Sequence, residues 1–142
     1  MPHSDLKEIK HLFMTYRNGI VADTLRKAGE PFGVIFGLQL PQLSEIARLT
    51  GKSAELADSL WADSNVRESR LLACWVYPPE EISMEKAIAL ASGVITREEA
   101  DILAFRLLRY LPFSAPLAET LLGLDEPLPH YVGVALTRNL QS

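Results

Sequence analysis

A single cysteine, Cys74, leaves the chain no internal disulfide, and the run around it, Leu71-Leu72-Ala73-Cys74-Trp75, reads as core. The fourteen lysines and arginines never occur three in a row, and the formal net charge of −4 opposes nonspecific polyanion binding by the whole surface. A role on nucleic acid therefore requires a local basic face. The longest nearly uncharged apolar stretch, Phe32 to Leu40, is far short of the roughly 20 residues a membrane span needs, and Gly33 and Gly37 interrupt it. Met1-Pro2-His3-Ser4-Asp5 offers neither a basic n-region nor an apolar h-region, so the expectation is a cytoplasmic protein away from membranes. His3, His11 and His130 are too scattered to suggest a metal site, and no phosphate-cradling glycine loop or nucleophile elbow is present. No metal and no cofactor are expected.

What the sequence does contain is apolar spacing of helical period, cut into short segments that carry their own start and stop chemistry. Leu6, Ile9, Phe13 and Tyr16 share a face after an expected Ser4 N-cap, with Asn18-Gly19 as the stop. Val21, Leu25 and Ala28 line a second helix ending at Gly29. The stretch Phe32–Leu40 is predicted to be a packed loop that leads into a helix with Pro41 in its first turn and Gly51 as its stop. Ser53 is expected to cap a helix burying Leu56, Ala57, Leu60 and Trp61. Asn65 and Glu68 have the spacing of a capping box for the next helix, which Pro78-Pro79 ends. Met84, Ala87, Ile88 and Ala91 stripe another, closed by Gly93. Thr96-Arg97-Glu98-Glu99 is a capping box opening a helix read as running to Leu111, apolar on most sides and so covered on both flanks. A shorter helix spans Leu117 to Leu122, and a last one, from near Pro129, carries Tyr131, Val134 and Ala135. About nine short helices with tight connections must pack as antiparallel hairpins. The expected fold is all-α, one helical-repeat domain over residues 1–142 in which HEAT- or armadillo-like antiparallel helix pairs form an α-α superhelix.

Asp101 stands out, because it lies in the second turn of a helix whose other residues are nearly all apolar. An acid near a helix N-terminus interacts favourably with the helix dipole, and Arg97 one turn earlier is a natural ion-pair partner.

From Gly37 onward the chain resembles the DNA alkylation repair family, helical-repeat glycosylases that excise alkylated purines. Phe36-Gly37-Leu38-Gln39-Leu40-Pro41-Gln42-Leu43 is similar to the family's glycine, apolar, proline approach to a helix, and Leu56-Ala57-Asp58-Ser59-Leu60-Trp61 to its helix ending in Leu-Trp. Arg67-Glu68-Ser69-Arg70-Leu71-Leu72-Ala73 resembles the segment that follows, where an acid precedes an alanine-rich apolar run. Arg97-Glu98-Glu99-Ala100-Asp101 falls on the family's aromatic-x-x-x-Asp motif, with Arg97 in place of the aromatic residue, and Arg138 lies one turn beyond the position of a family arginine.

The resemblance implies Asp101 as the catalytic carboxylate, stabilising positive charge on a deoxyribose while a cationic N3- or N7-alkylated purine departs. It also implies a duplex-DNA partner contacted by Arg97, Arg67 and Arg138. The replaced aromatic and the acidic balance motivate a contrasting expectation, a non-catalytic helical scaffold that binds a protein partner or a second copy of itself.

Overall fold

Capping chemistry sets where these helices begin, and the capping residues recur through the computed structural model, which describes residues 5–141. Among those residues there are nine α-helices: α1 (Leu6–Thr15), α2 (Gly19–Lys27), α3 (Leu40–Thr50), α4 (Ala54–Ala62), α5 (Arg67–Val76), α6 (Met84–Ser92), α7 (Arg97–Arg106), α8 (Ser114–Leu122) and α9 (Pro127–Gln141). Single 3₁₀ turns occupy Pro79–Glu81 and Leu108–Tyr110. No strand is present among the described residues, only an isolated parallel bridge from Val34 to Val66. The all-α expectation is met. The contacts gather into two compact units, Met1–Tyr77 and Pro78–Ser142.

In the first unit α5 is buried from end to end and packs against α3 and α4. The Ser53 side chain accepts from the Leu56 N–H at 3.1 Å and fixes the start of α4, so that Leu56, Ala57 and Leu60 face inward. Cys74 sits within α5 at 1% exposure. Two expected caps are differently employed. Ser4 lies outside the described residues, and Asp5 caps α1 by accepting from the Glu8 N–H at 2.8 Å. Asn18 does not stop α1; its extended backbone and side-chain oxygen start α2, accepting from Ile20 and Val21.

The larger correction concerns Glu68, which closes no capping box. Val66 is the N-cap of α5, and the Asn65 side chain instead accepts from the Gly33 N–H at 3.1 Å. Glu68 is fully buried and receives the backbone N–H groups of Phe36, Gly37 and Leu38 at 3.0, 3.0 and 3.3 Å. One carboxylate thus satisfies three donors of a loop that has no ladder of its own, where an unpaired buried N–H is costly. Arg67 completes the clasp, its Nη1 donating to Glu68 Oε2 at 2.7 Å and to the Leu38 carbonyl at 3.0 Å. Phe32, Ile35 and Leu38 of the loop are buried as expected.

The second unit is built from α6 to α9. The α8–α9 connection is short and the two helices pack along their length, an antiparallel hairpin. Their backbones come close at Gly133, where an added Cβ would stand 2.9 Å from the Leu122 nitrogen. Helix α9 also packs against α7. Helix α7 ends at Arg106, earlier than the apolar pattern indicates, because Leu107 leaves the helical region and a 3₁₀ turn takes over. Apolar spacing alone does not distinguish a tightened last turn from a continued helix.

Candidate nucleic-acid interface

The Thr96 hydroxyl accepts from the Glu99 N–H at 3.0 Å and starts α7, while Glu99 Oε1 reaches back to the Ile95 N–H at 2.9 Å, one residue before the cap. With Glu99, Ala100, Ile102, Leu103 and Ala104 turned into the core, the helix shows one exposed row at four-residue spacing: Arg97, Asp101 and Phe105. The flank-to-flank coverage expected of α7 is therefore incomplete, and its uncovered face holds the residues of interest.

Helix α9 brings Tyr131 to this row. The Tyr131 hydroxyl donates to Asp101 Oδ1 at 2.8 Å. The Arg97 guanidinium does not pair with Asp101; it lies 4.3 Å from the centroid of the Tyr131 ring, and the Arg138 guanidinium lies 5.9 Å from the same ring. Both distances fall within the range in which a cation is attracted to an aromatic face. Among the described residues no cation stands within ion-pair distance of Asp101, and its side chain is exposed on the face where two guanidinium groups stand on the Tyr131 ring. A cleft of about 320 Å³ opens there, lined by Asp101, Ile102, Phe105, Ala135, Arg138 and Asn139.

Charge in this unit is segregated. Residues 78–142 hold nine carboxylates against five cations, Lys86 and the arginines 97, 106, 109 and 138. All four arginines stand on aromatic rings: Arg97 and Arg138 on Tyr131, Arg106 and Arg109 on Phe105 at 5.0 and 4.2 Å. An acidic unit thus keeps four of its five cations against two aromatic rings, Tyr131 and Phe105.

The structure brings together three of the four residues singled out in the sequence, Asp101, Arg97 and Arg138. Arg67 is placed otherwise: it belongs to the first unit, is 3% exposed, and is engaged with Glu68 and the Leu38 carbonyl. Its guanidinium has a structural task and is not presented to a phosphate. Tyr131 is the site residue that sequence reading names only as one carried by the last helix, with no role at the site. Its spacing of seven from Arg138, two turns along one helix face, is the available signal.

A larger hollow of about 790 Å³ lies on α1, lined by Lys7, Glu8, Lys10, His11, Leu12, Met14 and Phe36. Lys10 there is paired with Asp63 at 3.0 Å. The hollow has volume without the convergence of carboxylate, hydroxyl and guanidinium seen between α7 and α9. Among the described residues no helix is long and apolar enough to cross a membrane, and no group of three or more His, Cys, Asp or Glu could hold a metal ion.

No family profile and no curated protein sequence matches the chain. Among solved structures it is similar to one described as "A new family of proteins related to the HEAT-like repeat DNA glycosylases with affinity for branched DNA structures", with a TM-score of 0.87 and 17% sequence identity over 96% of this chain. The match takes in 57% of that chain, so the protein spans little more than half the length of its structural neighbour. At that identity the likeness establishes the fold, and the chain has the HEAT-like helical-repeat architecture expected of it.

Proposed function

We propose that this chain binds DNA through the α7–α9 face, with Arg97 and Arg138 contacting phosphates and Asp101 acting on the sugar of a cationic N3- or N7-alkylated purine. The observation that carries the reading is an exposed carboxylate that accepts from the Tyr131 hydroxyl, with two guanidinium groups standing on the ring of that same tyrosine. The fold shared with a structure described as related to DNA glycosylases and having affinity for branched DNA supports it.

The chemistry needs few parts. An alkylated purine of this kind already carries positive charge, so it leaves as a neutral base when the C1′–N bond breaks, and the charge passes to the deoxyribose. A carboxylate beside the sugar stabilises that charge, and water then adds at C1′ and releases a proton to solvent, leaving a C1′ hydroxyl. Tyr131 occupies one oxygen of Asp101 and leaves the other for the sugar.

A second reading, apart from the protein-binding scaffold expected above as the alternative, is DNA binding without excision. It draws on Arg97, whose guanidinium covers a face of Tyr131 that a cationic nucleobase would otherwise meet. Release of 7-methylguanine or 3-methyladenine from alkylated duplex DNA separates the two. We expect release by the native chain and none by Asp101→Asn at unchanged DNA affinity. Release by Asp101→Asn at the native rate removes the assigned role, and DNA binding with no release by the native chain leaves the binding half alone.

A further inference from the structure

A second aromatic element of this unit takes no part in the Asp101 arrangement. Tyr110, in the 3₁₀ turn after α7, is 55% exposed, the most exposed aromatic ring of the described chain. Its hydroxyl accepts from Arg109 Nη2 at 2.7 Å, and the Arg109 guanidinium stands 4.7 Å from the Tyr110 centroid and 4.2 Å from that of Phe105, itself 38% exposed. The guanidinium is thus held against two rings, and no carboxylate of the described residues lies within ion-pair distance of it. Its Nε lies out of water without a hydrogen-bond acceptor. Two solvent-facing rings around a guanidinium with no carboxylate partner present a surface that something both flat and anionic would fit.

A nucleotide has both properties, a π face for the ring and a phosphate for the guanidinium. In a continuous duplex the base faces are already stacked on one another, so only an unpaired nucleotide can use such a platform. We infer that Tyr110 and Arg109 form a stacking site for an unpaired nucleotide, next to the Asp101 cleft through Phe105 and distinct from it. The inference rests on the DNA-binding reading above and adds to it a preference for DNA with single-stranded nucleotides beside a duplex.

The test is fluorescence anisotropy with the full chain on a blunt duplex and on the same duplex carrying a short unpaired thymidine flap, with 2-aminopurine in the flap to report stacking. The native chain should bind the flapped DNA more tightly and change the 2-aminopurine emission. Tyr110→Ala should lose about tenfold in affinity for the flapped DNA, the scale of stacking one base on an aromatic side chain. Its affinity for the blunt duplex should stay within about twofold, while Tyr110→Phe keeps the flap preference and the emission change.

Equal loss on both DNAs, or a Tyr110→Ala variant that binds the flap as the native chain does, overturns the site. If the native chain binds the blunt duplex with no preference for the flap, the stacking site falls and the duplex reading stands. If it binds neither, both fall together.

Discussion

The Tyr131 hydroxyl and the Asp101 carboxylate meet at 2.8 Å although thirty residues separate them, so α9 orients a side chain that α7 carries. A hydrogen bond from a fixed phenol restricts an exposed carboxylate that would otherwise sample several rotamers. Preorganisation of this sort matters to a reaction far more than to folding, since the charge it serves develops only in the transition state. Tyr131→Phe should therefore cut base release about tenfold, equivalent to ~1.4 kcal/mol of barrier. Folding stability should move by no more than ~0.5 kcal/mol, as for other surface substitutions. Single-turnover release alongside urea unfolding measures both, and an unaltered rate would mean that the hydroxyl does not set the carboxylate.

Arg138 tests the electrostatic half of the proposal independently of chemistry. A side chain that neutralises one phosphate contributes its share to the salt dependence of binding. Arg138→Ala should weaken duplex binding across sequences and flatten the plot of log affinity against log salt by about one unit. An unchanged slope would take Arg138 off the DNA.

Most of the fold is legible in the sequence because the signals that specify it are local. Ser53, Thr96, Pro41 and Gly51 sit where their chemistry places them, since a cap or a stop is decided within about four residues. Glu68 shows where that stops. Its spacing from Asn65 suits a capping box, yet its donors are Phe36, Gly37 and Leu38, some thirty residues earlier, and nothing near Glu68 announces them. Asn18 was ambiguous for another reason: the same residue type favours both the end of one helix and the start of the next, and the fold uses it for the start.

The candidate site divides the same way. Asp101 and Arg97 are visible as an acid and a base one turn apart, but their spacing suggests an ion pair, and only the approach of α9 shows Arg97 turned to Tyr131. Arg67 and Arg138 are indistinguishable as letters; burial of one and exposure of the other is a tertiary fact.

The loop that Glu68 holds is predicted to be the most substitution-sensitive part of the first unit. Gly37 has φ of +86°, which side chains rarely adopt, and a Cβ there would stand 2.2 Å from the Asn18 carbonyl oxygen, a backbone atom that cannot swing aside. Gly37→Ala should lower stability by at least ~2 kcal/mol, read as a lower urea midpoint at unchanged slope.

Glu68→Gln acts on the same loop by a different route. It puts an amide where three N–H groups and Arg67 meet a carboxylate, and it removes the charged partner in the buried Arg67–Glu68 pair. Removing one partner of a buried ion pair costs about 3–5 kcal/mol. Because both residues hold one loop, the double variant should lose less than the sum of the two. Strict additivity would show that they do not share it.

Tyr77 offers a test by pH. It is 1% exposed at the end of α5, and its hydroxyl donates to Asp58 Oδ1 at 2.5 Å. Burial first, and the hydrogen bond to the Asp58 carboxylate second, push its pKa well above the ordinary phenol value. Below about pH 10 the phenol is protonated in folded and unfolded chains alike, and its contribution to stability is constant. Above about pH 10 the unfolded chain releases this proton while the folded chain keeps it, so the folded state binds more protons and stability falls as pH rises. Tyr77→Phe removes that titration at a cost of about 1 kcal/mol near neutrality for the lost hydrogen bond. The unfolding free energy of the native chain should therefore drop more steeply than that of Tyr77→Phe as the solution is taken past about pH 10, the two curves converging with rising pH. Every other ionisable group is common to both proteins and cancels in the difference. Parallel curves through that range would show that Tyr77 ionises as readily inside the fold as outside it.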